Sequence, residues 1–189
     1  MLIFIMILMG TLHDAKILGG VGSILMLFIP IAGQILVLIA AKYISDTTND
    51  KSIFNNVLYA MIFSIIGSIA TAMLIYTSLF ALLINHEEPE VLIGALMGVI
   101  VSFSVMFIFL LLGAIFLRRG FNRIADLVNV SHFRTAATLF LIGAILTIIM
   151  VGLLIIFIAE IFMIVAFFSL PDQLPTQAPP SSSLPPPPT

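Results

Sequence analysis

One ionisable residue, Glu160, lies inside the most apolar part of the chain. The surrounding run, residues 135–170, reads TAATLFLIGAILTIIMVGLLIIFIAEIFMIVAFFSL and otherwise holds only apolar, small or hydroxyl side chains. A charge within a bilayer is costly, so we expect this carboxyl group to be neutral or paired inside the protein. Such a group suits a proton- or cation-linked site in a helical bundle. The alternative is a shallow segment, or a protonated Glu160 bonded to a neighbouring helix.

Gln34 is the best polar partner for Glu160 that the sequence offers. It lies beside Pro30 and Gly33, which interrupt the apolar run 17–44 in the stretch FIPIAGQ. Proline removes a helix hydrogen bond, and membrane transporters often place ligand sites at such breaks. We therefore predict an intramembrane polar site made by Glu160 and Gln34.

Other chemistry has little support in the sequence. The chain contains no cysteine, and its three histidines are scattered over separate polar segments. No GxSxG, P-loop, HxxxH or paired-carboxylate motif is present. The sequence therefore predicts a protein that is not an enzyme and that uses no cofactor or metal ion.

The composition predicts an integral, multi-pass protein of the cell membrane. Of the 189 residues, 61% are hydrophobic and 8% are charged, whereas soluble domains carry about 25% charged residues. The net charge is −2 and there is no basic patch, which argues against nucleic acid as a partner. The expected partner is the lipid bilayer.

Four apolar runs position these residues, at 17–44, 53–84, 91–117 and 135–170. The last run would reach about 54 Å as one helix, against about 30 Å of bilayer hydrocarbon. We expect it to fold back near Gly152, and we expect a kink or reversal of the first run at Pro30. The predicted fold is an all-α membrane bundle of two long central helices flanked by two Pro/Gly-broken helical hairpins, with four to six membrane segments. If the outer runs cross once instead, both termini face outside.

Small residues recur along both central runs and predict antiparallel packing of the two helices. Such stripes let helices approach closely, and homodimerisation through the same glycines is the alternative. The two stripes are Ala60, Ser64, Ser68 and Ala72 on the first helix, and Gly94, Gly98 and Ser102 on the second.

Basic residues predict the orientation, because lysine and arginine favour the cytoplasmic side. The segment 118–134 holds four arginines as cytoplasmic anchors, and the acidic turn 85–90 faces outside. An i, i+3, i+4, i+7 apolar pattern predicts a short helix on the membrane surface, with anionic lipid headgroups as a further binding partner. Hairpins would also place Lys16 and both termini inside. The anchors are Arg118, Arg119, Arg123 and Arg134, and the apolar residues are Phe121, Ile124, Ala125 and Val128.

The two outer runs echo each other weakly. Gly22-Ser-Ile-Leu resembles Gly143-Ala-Ile-Leu, and Ile39-Ala40 resembles Ile158-Ala159 with an offset of two residues. The predicted organisation is an N-terminal extension at 1–14, a transmembrane domain at 15–170 and a disordered proline-rich tail at 171–189. We expect the natural chain to begin at Met9.

Several stretches carry a resemblance to a known family. They are LGGVGSILMLFIPIAGQILVLIAAKYISD, SIFNNVLY, LRRGFNRIA and FRTAATLFLIGAILTIIMVGLLIIFIAEIFMIVAFFSLP. Over about residues 15–171 the chain resembles the domain of unknown function nine-nine-six, a family of uncharacterised archaeal and bacterial multi-pass membrane proteins. The resemblance implies a prokaryotic, archaeal-type membrane domain and carries over no catalytic residue.

Together these observations favour a non-enzymatic membrane protein whose helices serve packing, assembly or the binding of a partner. The alternative function is a small proton- or cation-linked transporter or channel that uses Glu160.

Overall fold

The computed structural model describes residues 11–84 and 89–174, which form six α-helices and no strand. Four of the helices, α3 to α6, are long and apolar enough to cross a membrane when the 3-10 turn that follows α5 is counted with it. The predicted start at Met9, residues 85–88 of the predicted acidic turn and the tail beyond residue 174 lie outside the described residues. The helices are α1 (Leu12–Met26), α2 (Pro30–Thr48), α3 (Lys51–Ile84), α4 (Pro89–Val128), α5 (His132–Leu146) and α6 (Val151–Phe168).

Both outer runs fold back as helical hairpins. The first run reverses at residues 27–29, and Pro30 then begins α2, a position where its missing N–H costs no hydrogen bond. The last run reverses at a 3-10 turn, Thr147–Ile149, followed by Met150 in the left-handed region with a φ of 64°. The second reversal therefore comes just before Gly152, which lies in the first turn of α6.

The six helices form a closed ring of three hairpins. Each helix packs against its neighbours in the chain, and α1 also packs against α6. All three hairpins start and end at the same end of the bundle. The middle hairpin is the long one: α3 and α4 reach about 51 and 60 Å, whereas the other four helices reach only about 22–28 Å.

All seven lysines and arginines lie at or near this shared end, which we call the basic end. Its core is built around the rings of Phe121, Phe133 and Phe167, which contact each other edge to face at centroid distances of 5.0–6.1 Å. Ile44 and Ile53 are fully buried in the same cluster.

The predicted surface helix in 118–134 was wrong. Helix α4 continues without a break through this segment to Val128. The apolar side chains that would have faced lipid are buried in the protein core instead, because α5 and α6 supply an apolar surface for them. These side chains are Phe121, Ile124, Ala125 and Val128.

A pair of glycines lets the two arms of each short hairpin touch. A Cβ on Gly33 would lie 2.6 Å from the Gly22 carbonyl oxygen, and one on Gly152 would lie 2.1 Å from that of Gly143. Gly22 and Gly143 begin the matching tetrapeptides of the sequence echo. The second glycine follows after eleven residues in one hairpin and nine in the other, so the offset of two residues arises between these two glycines.

Helices α3 and α4 pack against each other along most of their length, as the sequence predicted. The close contacts pair Gly67 with Phe109 and Gly98 with Ser78. Of the predicted stripe residues, Ala60 and Ser102 are buried, Ala72 is half-buried, and Gly94 has no neighbouring atom within 4 Å that a Cβ would meet. Ser64 and Ser68 lie, like Ala60, on the part of α3 that lines the cavity at the centre of the ring.

Candidate functional site

A cavity of about 390 Å³ lies at the centre of the ring. Its volume falls within the range of small-molecule sites in proteins, about 300–1,000 Å³. Every helix contributes to its wall, so it depends on the whole bundle. One lining residue from each helix in chain order is Met26, Gln34, Ala60, Gly113, Phe140 and Glu160.

Glu160 projects from α6 into this cavity and is half-buried. Among residues 11–84 and 89–174, no side chain makes a hydrogen bond to its carboxyl group. Its two oxygens are therefore available to a molecule that enters the cavity. Glu160 therefore lies inside the helical bundle, and its depth in the membrane stays a prediction.

Gln34 lines the same cavity but takes a different partner from the one proposed. Its Nε2 donates to Ser64 Oγ at 2.9 Å, and Ser64 Oγ donates back to Gln34 Oε1 at 3.1 Å. This pair joins the neighbouring helices α2 and α3. Gln34 and Glu160 thus share one cavity without a direct hydrogen bond between them.

The remaining hydroxyl groups of the cavity wall are satisfied within their own helices. Ser68 Oγ donates to the Ser64 carbonyl at 2.8 Å, and Thr147 Oγ1 donates to the Gly143 carbonyl at 2.8 Å. The carboxyl group of Glu160 and the Gln34–Ser64 pair are therefore the groups that could orient a ligand. The sequence predicted that Ser64 serves helix packing, whereas the structure pairs it with Gln34. The spacing of small residues does not indicate which neighbouring helix they face.

The cavity has a closed floor and an exposed mouth. Toward the basic end its lining residues Val37, Val57 and Met163 are buried, and the aromatic core lies beyond them. At the other end the lining residues Pro30, Ser68 and Leu153 are exposed. The mouth thus lies beside the turns of the two short hairpins.

Two of the four predicted arginine anchors form ion pairs on the surface of the basic end. Arg123 donates to Asp50 at 2.5 Å, and Arg134 pairs with Asp126. Hydrogen bonds from Ser52 and then from Arg123 lower the pKa of Asp50. Arg118 and Arg119 are exposed, and the latter lies 5.5 Å from the Phe116 ring centroid. The sequence did not predict that Asp50 is the partner of Arg123, because the two residues are 73 positions apart in the chain.

A second polar cluster ties α1 to the chain that follows α6. Asp172 lies 3.2 Å from His13 Nδ1 and 3.8 Å from Lys16 Nζ. The hydrogen bond with His13 and the charge of Lys16 lower the pKa of Asp172. This contact closes the ring at the basic end, where Gly19 and Gly20 leave room for Phe167 and Phe168.

The part of the chain that the structure describes holds no group of three His, Asp or Glu side chains that could bind a metal ion. The site is therefore an apolar cavity with one carboxyl group and one amide–hydroxyl pair. Such a site can recognise an apolar molecule that carries a positive or hydrogen-bond-donating group.

Comparison with known proteins confirms the family resemblance. Residues 29–161 match the family model described as "Protein of unknown function (DUF996)", a range that includes Gln34 and Glu160. The chain is also 31% identical over 173 residues to the uncharacterized protein MJ1644 of Methanocaldococcus jannaschii, covering 88% of this chain and 97% of that protein. No solved structure matches the chain. The chain therefore belongs to the family of proteins of unknown function DUF996.

Proposed function

We propose that this protein is a non-enzymatic protein of the cell membrane that binds a lipophilic molecule in its central cavity. The observation that carries the proposal is the position of Glu160. Its carboxyl group faces a cavity whose other walls are almost entirely apolar and come from all six helices. A carboxyl group in such a place selects for a ligand with a cationic or donor group and an apolar body.

The position of the mouth favours a ligand that is dissolved in the membrane. The mouth lies beside hairpin turns made of large exposed apolar residues such as Phe28 and Ile149. These turns suit lipid rather than water, so a ligand would arrive through hydrocarbon. A long-chain amine has the required chemistry, since its alkyl chain fits the apolar wall and its ammonium group pairs with Glu160.

The basic end defines the orientation that we propose. All lysines and arginines lie there, which supports a cytoplasmic position for this end and for the ends of α1 and α6. Arg118 and Arg119 have no acidic partner among residues 11–84 and 89–174, so they are the anchors that would contact anionic lipid headgroups.

Thermal unfolding in lipid nanodiscs tests the binding proposal. Dodecylamine should raise the unfolding temperature of the protein more than dodecanol does, because only the amine can pair with Glu160. The Glu160→Gln variant should lose this preference. An equal response to both compounds in the unmodified protein would refute the proposed ligand class.

A blocked mouth provides the matched control. Ser68→Phe places a ring at the exposed mouth and should abolish the response to dodecylamine. Ile69→Phe makes the same change on the neighbouring lipid-facing position of α3 and should leave the response intact. A response that survives Ser68→Phe would mean that the amine acts through the membrane and not through the cavity.

Proton- or cation-linked transport is the second candidate function. It is favoured by the inward-facing carboxyl group and opposed by the closed floor, since an ion would have to pass the aromatic core at the basic end. Flux of protons and monovalent cations into vesicles containing the protein tests it. Flux that disappears in Glu160→Gln, with folding intact, would support transport. The absence of flux in the unmodified protein would leave ligand binding as the function.

A further inference from the structure

The long middle hairpin has an apolar surface that matches a bilayer. Exposed apolar side chains run from Tyr59 to Ile84 on α3 and from Leu92 to Ile115 on α4, with no charged residue between these limits. The two stretches are about 35–38 Å long at the rise of an α-helix. Bilayer hydrocarbon is about 30 Å thick, so this hairpin is long enough to cross completely.

The two short hairpins end about halfway along this apolar surface. The hydrogen bonds of Gln34 with Ser64 place α2 beside α3, so the turn before Pro30 lies one to two helical turns farther along, near residues 68–70. Thr147 and Leu153 of the other short hairpin line the same cavity as Ser68 and Phe109, the neighbour of Gly67, so we place its turn at a similar height. The middle of the stretch Tyr59–Ile84 lies near residue 71.

The chemistry of the turns suits the interior of a bilayer. Phe28, Ile148 and Met150 are 76%, 71% and 72% exposed, and residues 24–33 and 145–155 include no charged or amide side chain. The backbone at the turns is largely paired, for example through Ile29 N–H to the Leu25 carbonyl at 2.6 Å. A turn that emerged into water would be expected to expose polar groups instead.

We propose that the two short hairpins are re-entrant and that the protein is a wedge that favours curved membranes. It fills the leaflet at its basic end with six helices and the opposite leaflet with two. A helix is about 10 Å wide, so the four additional helices displace about 300–400 Å² in one leaflet only. A membrane relieves this mismatch when the leaflet at the basic end lies on the convex side.

We assign the space beside the outer halves of α3 and α4 to lipid of the opposite leaflet. The exposed side chains there are mostly large and apolar, including Met73, Phe80 and Leu96. Association of helices in membranes relies on small or polar residues, and the few small residues exposed there include Thr77, Ala81 and Gly94. A second copy of the chain packed at Gly94 is therefore the competing occupant.

Sorting between vesicles of different size tests the wedge. The full chain, reconstituted with its basic end outward into mixed small sonicated and giant phospholipid vesicles, should be enriched severalfold per lipid in the small ones. Molecules inserted with the basic end inward provide the internal control and should be depleted from the small vesicles. Equal protein density in both vesicle sizes for both orientations would overturn the proposal.

The depth of the turns provides a second measurement that does not depend on ligand binding. Because the chain has no cysteine, nitroxide labels can be placed singly in Phe28→Cys and Ile149→Cys. Both should show high oxygen accessibility and low accessibility to a water-soluble nickel chelate. Reaction of either cysteine with an impermeant thiol reagent from the side opposite the basic end would show that the hairpins cross and would overturn the proposal. Crosslinking between chains through Gly94→Cys would also overturn the proposal, because it would show that a second copy of the chain occupies the space assigned to lipid.

Discussion

At the scale of single residues, two kinds of polar contact hold this apolar chain together. One kind lies in the membrane region and joins neutral groups, as Gln34 and Ser64 do. The other kind lies at the basic end and pairs charges from distant parts of the chain, as Arg123 and Asp50 do. The two kinds respond differently to pH, so they can be tested separately.

The Gln34–Ser64 pair should contribute a measurable coupling energy. A double-mutant cycle with Gln34→Leu and Ser64→Ala should give a coupling of about 0.6 kcal/mol, and no more than about 1.7, the values typical of hydrogen bonds between membrane helices. Unfolding of each variant by a denaturing detergent measures it. The same cycle with Gln34→Leu and Ser104→Ala, whose hydroxyl bonds within its own helix, should give no coupling. A zero value for the first cycle would contradict the observed contact.

The ion pair of Asp50 should make stability depend on pH in the acid range. Its pKa is lowered from the ordinary value of 3.8 by Ser52 and Arg123, so its contribution is complete above that value and is lost as the pH falls through the folded-state pKa. Asp50→Asn should reduce the free energy of unfolding at neutral pH by about 1 kcal/mol or less, since the arginine is largely exposed. Melting temperatures from pH 7 down to about pH 3 should then depend less on pH in the variant than in the parent.

A matched control uses another acidic residue nearby, in the last turn of α2. Asp46 pairs with Lys42 four residues earlier, and both side chains are about half exposed. Asp46→Asn should change the melting temperature little at any pH. A larger acid sensitivity for Asp46 than for Asp50 would contradict the assignment.

At the scale of elements, the short hairpins depend on close backbone contact between their arms. Gly33→Ala should destabilise the protein by about 1–3 kcal/mol, because the added methyl group would lie 2.4 Å from the Met26 backbone nitrogen. Gly152→Ala should behave similarly against the Gly143 carbonyl oxygen. The fraction of protein that stays monodisperse after heating in detergent measures both effects.

Gly94→Ala is the control for these substitutions. It also lies in a helix, but a Cβ there meets no atom within 4 Å. Since alanine favours helix more than glycine does by about 0.5–1 kcal/mol, this variant should be as stable as the parent or slightly more stable. Destabilisation by Gly94→Ala would place another chain against this glycine.

At the scale of the whole molecule, both ends of the described chain lie at the basic end, linked by His13, Lys16 and Asp172. If this end is cytoplasmic, a single cysteine at Ser182 should resist an impermeant thiol reagent in intact cells and react after lysis. A cysteine at Asn49, in the loop at the basic end, should behave in the same way. Labelling of both cysteines in intact cells would show that the basic end faces the outside of the cell.

The sequence alone determined the class of the protein and the main features of its topology. Composition excludes a soluble domain, and a run of about 54 Å cannot lie straight in about 30 Å of hydrocarbon. Pro30 marked the first reversal, and Glu160 stood out because charges are rare in such runs. These conclusions were accessible because each depends on a property of one segment, compared with fixed dimensions of the bilayer.

Only the tertiary structure decided which neighbour each side chain faces. The pattern of Phe121, Ile124 and Val128 is the same for a helix on lipid and for one against a protein core, so the sequence predicted a surface helix where α4 simply continues. The sequence could not predict that Ser64 faces Gln34 and the cavity, because small residues permit a neighbour to approach closely on any side of a helix. The partner of each polar group, and hence the cavity itself, follows from the closure of six helices into a ring, which no single segment encodes.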